Sequence, residues 1–193
     1  MPKSAAAGRQ RMLDSAIALM RGSGLTGAGI NEIVRLSGAP KGSVYHHFPG
    51  GKLQIATEAL EDYSERVVRF IDEALSTGRS RPAKVKALFG AFAKRAREGQ
   101  FKASCAIGTV TLDLDEERDL EALRPVLEAA FDRWVDCIAT HVDDGDPRAA
   151  RSFAGLVLTA IEGAYVRCRA ERDARAFLEA GEWLSRLCAE QRG

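Results

Sequence analysis

The 193-residue chain is expected to be all-α, with an N-terminal three-helix head joined to a larger helical body, and three observations lead there. Apolar residues recur at i, i+3, i+4 spacing along nearly the whole length, no segment alternates convincingly as a strand, and clusters of Gly, Pro and Asp separate the periodic stretches. With 46% hydrophobic residues the chain can bury a real core. No uncharged apolar stretch is long enough to cross a bilayer and no apolar leader is present, so a soluble, cytoplasmic protein without membrane contacts is expected.

Pro2 to Gly8 is small and polar and reads as disordered or as a mobile basic arm. Leu13, Ala16, Ile17 and Met20 define the first helix, which Gly22 and Gly24 stop. Ile30, Ile33 and Val34 stripe the second, and Ser37-Gly38 closes it, because Gly adopts the left-handed conformation without a Cβ penalty. Pro40 suits a first helical position, so Lys41 to His47 is expected to form a short third helix with Val44 and Phe48 facing the core. Leu53, Ala56, Leu60, Tyr63, Val67, Phe70, Ile71 and Ala74 make one long stripe, a helix linking head to body.

After a polar loop from Ser76 to Arg81, Pro82 opens a helix with Val85, Leu88, Phe89 and Phe92 inward, and Glu98-Gly99-Gln100 breaks it. The apolar run Ala103 to Leu112 ends in an acidic stretch, Asp113 to Asp119, that fits a helix end, a loop and the first turn of another helix. Leu120 to Val142 is helical, with a kink or restart expected at Pro125. Asp143 to Pro147 is a turn, and two helices remain, about Arg148 to Arg169 and Asp173 to Gln191.

The most informative segment is Ile30 to Lys52, INEIVRLSGAPKGSVYHHFPGGK, which has the form of a helix-turn-helix. In such a motif the second helix enters the major groove, where its first residues meet base edges and flanking cations engage phosphates. Gly42 would let the backbone approach DNA closely, Lys41, Tyr45 and Lys52 suit phosphates, and Ser43 and His46 suit base edges. The same polar residues would also fit a merely solvated helix face. Charge favours the DNA reading: residues 1–52 hold seven basic against two acidic residues, net +5, and the remainder 21 against 25, net −4.

PKGSVYHHF followed by a Lys is similar to the recognition helix of the TetR family of bacterial transcriptional regulators, and the FPGGK form looks most like its drug- and aromatic-compound-responsive branch. The resemblance covers about residues 9–60 strongly and the rest weakly. It implies phosphate contacts by Tyr45 and Lys52, a DNA-facing helix start at Lys41, Gly42 and Ser43, and the family's usual His at His47. It also implies a division into a DNA-binding domain, residues 1–52, and a ligand-binding and dimerisation domain, residues 53–193. Two departures stand out. Ala28 and Gly29 replace the Thr or Ser that caps the helix near Ile30 in most members, a loss of about 1 kcal/mol and of one phosphate contact that Thr26 stands too far away to restore simply. The Pro49-Gly50-Gly51 turn is one residue longer than the commoner form, which bears on where Lys52 sits.

The last two helices carry wide apolar faces, Phe153, Ala154, Val157, Leu158, Ile161, Ala164 and Tyr165, then Phe177, Ala180, Trp183, Leu184 and Leu187. They suit either an intramolecular core or a four-helix interface between two copies; the resemblance implies the homodimer, reading a near-palindromic double-stranded operator. It also implies a small-molecule effector bound in the body, apolar or aromatic in character. Phe89, Phe92, Cys105, Thr109, Trp134, Glu162 and Tyr165 are the candidate lining, each equally readable as plain core.

Cysteines 105, 137, 168 and 188 are widely spaced, with no CxxC pair and no His taken to be at ligand spacing, so buried thiols are expected, a Cys105–Cys137 redox pair being the less favoured reading. No metal or cofactor is expected. Nor is catalysis: GxSxG, HExxH and Gly-rich nucleotide loops are missing, and Gly50-Gly51-Lys52 lacks the remaining residues of a phosphate loop. The competing class is a helical architectural or ligand-sequestering protein without operator-specific binding.

Overall fold

The computed structural model describes residues 2–114 and 120–190, and every regular element among them is an α-helix. In order these are α1 (Pro2–Gly27), α2 (Ile30–Ser37), α3 (Ser43–His47), α4 (Gly51–Ser76), α5 (Arg81–Glu98), α6 (Ala106–Asp113), α7 (Leu120–Val142), α8 (Pro147–Glu171) and α9 (Arg175–Glu190). None of the described helices is long and apolar enough to cross a membrane. The chain forms two compact units, one of Met1–Glu65 with Cys105–Ala130, the other of Arg66–Ser104 with Phe131–Gly193.

In the first unit, α1 packs against α2 and α6. Met12, Leu13, Ala16, Ile17 and Met20 are buried along α1, as their 3.6-residue spacing requires, together with Ile33, Val44, Phe48, Ile55 and Leu60 from the following helices. Helix α1 differs from expectation at both ends. It starts at Pro2, so Pro2 to Gly8 is helical rather than disordered. Ala5-Ala6-Ala7 explains this, since Ala is the strongest helix former and extending an existing helix avoids the cost of nucleation. At the other end Ser23 and Gly24 leave helical geometry, as the glycines suggested, but a further helical turn reaches Gly27. The Thr26 amide there donates to Asp113 Oδ2 at 2.6 Å.

In the second unit, α5 packs against α8 and α9, and α8 against α9. A Cβ at Gly181 would stand 2.6 Å from Phe89 Cβ, so a side chain at that point of α9 would force α5 away. Phe92 sits at the centre of an aromatic cluster, 4.9 Å from Phe70, 5.8 Å from Tyr165 and 6.0 Å from Phe177 between ring centroids. Edge-to-face and stacked rings at these separations gain electrostatic energy beyond burial. Ser80 and Asp146 cap α5 and α8 through their side chains, each followed by a Pro in the first helical turn.

One further expectation changes. Helix α7 continues through Pro125 without a restart, although Pro125 is its sixth residue and its ring removes the amide that would bond the carbonyl four residues back. The acidic stretch resolves as helix end at Asp113, while residues 115–119 lie outside the described part.

Candidate DNA interface

Helix α2 ends where Gly38 takes the left-handed conformation, φ 65°, and its amide donates to the Val34 carbonyl at 3.1 Å. The Arg11 side chain donates to the Ser37 carbonyl at 3.3 Å, placing a cation on the carbonyl end of α2. Ile33 and Ser37 are buried, whereas Ile30 and Val34, expected inward, are only half-buried at the rim.

Helix α3 begins at Ser43, two residues later than expected. The segment Pro40 to Gly42 forms a turn, with Ser43 N–H on the Pro40 carbonyl at 2.9 Å and Val44 N–H on the Lys41 carbonyl at 3.4 Å. Pro40 therefore shapes the approach to α3 rather than its first turn. Val44 and Phe48 are fully buried and hold α3 to its unit. The guanidinium of Arg9 lies 4.7 Å over the Phe48 ring and pairs with Glu58 of α4, so three elements meet at this side chain.

That anchoring presents a polar face outward. Lys41, Gly42, Tyr45 and His46 are exposed, Tyr45 at 60%, and Ser43, His47 and Lys52 are half-exposed. The rings of His46 and His47 stand edge to face at 5.3 Å, and His47 reaches Phe48 at 6.4 Å. His47 is thus partly packed against the anchor while His46 is not. The Ser43 hydroxyl donates to the Pro40 carbonyl at 2.6 Å, so its oxygen faces outward with acceptor capacity only.

The longer turn places Lys52 as the second residue of α4. Gly51 N–H donates to the Phe48 carbonyl at 2.9 Å, and the Gln54 side chain takes the Gly50 N–H at 2.8 Å. The Tyr45 ring lies 3.9 Å from where a Cβ on Gly51 would stand, which brings Tyr45 and the start of α4 side by side. Such a helix start, with its positive dipole end and a Lys, suits an anionic oxygen.

The basic residues of this end divide into two kinds. Arg9 pairs with Glu58, Arg35 with Glu32 at 2.8 Å, Arg21 stacks at 5.9 Å on Tyr63, and Arg11 serves α2. Among the described residues, Lys41 and Lys52 have no such protein partner and keep their charge for an outside ligand. Among the described side chains of this end, the cations left for an outside ligand therefore stand beside α3. Gly29 is the N-cap of α2, and no side chain, Thr26 included, makes a cap hydrogen bond there. Gln54 and Arg9, which position the turn and the anchor, were given no role in the sequence reading; a Gln four residues after a Gly turn and an Arg 49 residues from its partner give no local pattern.

The candidate effector residues separate between the units. Phe89, Phe92, Trp134 and Tyr165 are buried in the second unit, Phe92 and Tyr165 in the aromatic cluster and Trp134 edge to face with Phe131 at 5.7 Å. Glu162 is half-buried on α8. Phe89 borders a cavity of about 210 Å³ with Lys86, Gly90, Leu178, Gly181 and Glu182. Cys105 and Thr109 belong to the first unit, where Cys105 Sγ caps α6 and the Thr109 hydroxyl donates to the Cys105 carbonyl. No disulfide joins the four cysteines. Burial first, then the Asp72 carboxylate, pushes the Cys137 thiol up, which disfavours the nucleophilic thiolate a redox switch needs.

Comparison with known proteins fits this geometry. The profile of bacterial regulatory proteins of the tetR family matches residues 12–59, and that of the LmrA/YxaF-like transcriptional regulator C-terminal domain matches residues 82–183. An uncharacterised HTH-type transcriptional regulator of Mycobacterium tuberculosis is 35% identical over 170 residues, 86% of each chain. A TetR family regulator from Agrobacterium tumefaciens shares the fold with a TM-score of 0.81 at 17% identity, over 94% of this chain and 97% of that one. A cysteine variant of the TetR family regulator CifR, solved with 26-base-pair double-strand operator DNA, does so with a TM-score of 0.77 at 19% identity, over 92% and 94%. The helix-turn-helix and the two matched profiles agree, and the chain belongs to the TetR family of DNA-binding transcriptional regulators.

Proposed function

We propose that the protein is a homodimeric repressor that leaves a near-palindromic operator when a small effector binds, with residues 1–52 reading DNA and residues 53–193 serving dimerisation and effector binding. The observation that carries this reading is the outward face of α3, where Lys41, Tyr45 and His46 are exposed over the buried anchors Val44 and Phe48. In a two-fold dimer two such faces would enter successive major grooves about 34–36 Å apart. Tyr45, Lys41 and Lys52 then hold phosphates, Gly42 allows close approach, and Ser43 and His46 meet base edges, with His47 steadying the helix. Because the Ser43 proton is committed to Pro40, its oxygen selects a base amino group, adenine N6 or cytosine N4.

Repression released by a ligand requires that the effector bind the non-operator state more tightly than the operator-bound one; equal affinity would shift nothing. The effector is apolar or aromatic in this reading, as in the drug- and aromatic-compound-responsive branch, and the protein works in the cytoplasm. The buried aromatic cluster around Phe92 and Tyr165 supports such a ligand, and admitting it would require the rings to part, because they fill the space between themselves.

Point variants test the DNA assignment. Lys52→Ala and Tyr45→Ala are expected to weaken binding to all sequences alike, and Lys52→Ala to reduce the slope of log K against log salt by about 1. His46→Ala and Ser43→Ala are expected to change which bases are preferred. Fluorescence anisotropy on a panel of operator variants at several salt concentrations separates the two behaviours; unchanged binding in all four removes the assignment.

A further inference from the structure

We propose that Asp72, Cys137 and His141 form a site for a zinc-like divalent cation in the second unit. Cys137 and His141 are four residues apart on α7 and so share one face of that helix, and Asp72 of α4 stands opposite them. The thiol, imidazole and carboxylate ligand atoms all lie within 4.8 Å of one another. His141 Nε2 is 2.8 Å from Asp72 Oδ1, and Cys137 Sγ is 3.9 Å from the Val68 carbonyl.

This spacing is close to what an ion needs. Metal–donor bonds of about 2.0–2.3 Å in a tetrahedral arrangement place ligand atoms about 3.5 Å apart. The thiol must therefore close in by at most about 1.3 Å while the Asp72–His141 pair opens slightly, changes within reach of side-chain rotation. One sulfur, one nitrogen and one oxygen select a borderline-soft ion such as Zn²⁺ over Mg²⁺ or Ca²⁺, which prefer oxygen alone. Asp72 is exposed, so the fourth position opens to water. On binding, the thiol releases its proton to solvent and the thiolate, the neutral imidazole and the carboxylate take the ion.

The surroundings hold these groups in place. Lys84 Nζ donates to the His141 backbone carbonyl at 3.0 Å, and Arg81, three residues earlier on α5, pairs with Asp144 just beyond the end of α7. Both cations are thus occupied elsewhere than on the three ligand atoms. The ion would replace the His141–Asp72 and Cys137–Val68 hydrogen bonds between α4 and α7 by direct bonds from both helices to one centre. The proposal concerns the second unit and does not depend on DNA binding or on any organic effector.

The test uses the reduced, chelator-treated full-length protein titrated with Co²⁺ and then Zn²⁺. One equivalent of Co²⁺ per chain is expected, with a near-ultraviolet thiolate-to-cobalt charge-transfer absorption that Zn²⁺ abolishes, and Zn²⁺ is expected to raise the melting temperature. Cys137→Ser removes the absorption. Loss of a supporting partner alone costs metal sites about 10- to 100-fold, so His141→Gln should weaken Zn²⁺ binding by at least about 100-fold. Asp72→Asn, at an exposed position that tolerates change, should weaken it as well while leaving helical content intact. A wild-type protein with no thiolate band overturns the proposal, as does equal Zn²⁺ affinity in wild type, His141→Gln and Asp72→Asn. Should Cys137→Ser fail to fold, the wild-type band and the other two variants decide.

Discussion

Trp183→Glu is expected to turn a dimer into a monomer and to lower operator affinity by about 10²- to 10⁴-fold, the usual gain from tethering two binding modules. The reason lies in what α8 and α9 leave uncovered. Phe153, Ala154, Val157, Leu158, Ile161, Ala164 and Tyr165 are buried within the chain, as are Phe177 and Leu184, so most of the apolar surface noted in the sequence serves the intramolecular core. Trp183 is 68% exposed all the same, with Leu187 one turn further along α9, and Leu156 and Val166 are exposed on α8.

A large aromatic side chain left in water beside other apolar groups is the usual anchor of an interface, where truncation costs about 2 kcal/mol or more. Glu adds the cost of desolvating a charge between the two copies. Since Trp183 contributes little to the chain's own core, helical content should not change. Sedimentation velocity and a mobility-shift titration measure both effects. A variant that stays dimeric with unchanged affinity locates the contact between copies elsewhere.

The second large effect is one of stability. Phe48→Ala should destabilise the first unit by about 3–5 kcal/mol, as removal of a fully buried aromatic does. Phe48 is entirely buried, its amide donates to the Val44 carbonyl at 2.7 Å, and its carbonyl accepts from Gly51 at 2.9 Å. The side chain thus fills the corner between α3 and α4 while Arg9 covers its outer face. The same change should abolish DNA binding without touching a DNA-facing residue, whereas Phe48→Leu, which keeps most of the volume, should retain much of both. Urea unfolding followed by circular dichroism gives the difference; a loss below about 1 kcal/mol would contradict the anchoring role.

Much of this was legible in the residues. Met12 apart, the α1 core was marked by its spacing, and Ser37-Gly38 announced the left-handed end of α2, because these are local rules with few competitors. The start of α3 was misplaced because Pro40 is equally at home in a turn and in a first helical turn, and only the hydrogen bonds from Ser43 and Val44 to the Pro40 and Lys41 carbonyls decide between them. The helical start at Pro2 was missed because Ala, the best helix former, was read as merely small. Which cations remain available could not be read at all: Arg9 and Glu58 are 49 residues apart in the chain, and their pairing depends on how α1 and α4 pack. Cys137 and His141 were one turn apart in plain view, but Asp72 comes from a different helix, so the cluster exists only once the chain is folded.

The central claim, sequence-specific DNA recognition by α3, is tested most directly by a mobility-shift measurement on the intergenic DNA beside the protein's own coding region. It should be made at two salt concentrations and with excess unrelated competitor. A complex that survives the competitor, weakens steeply with salt and is lost in Tyr45→Ala is the predicted result. Binding that disappears with competitor, and that Tyr45→Ala leaves unchanged, on this DNA and in a genome-wide search for operators, would contradict it and leave only a helical protein with non-specific electrostatic affinity.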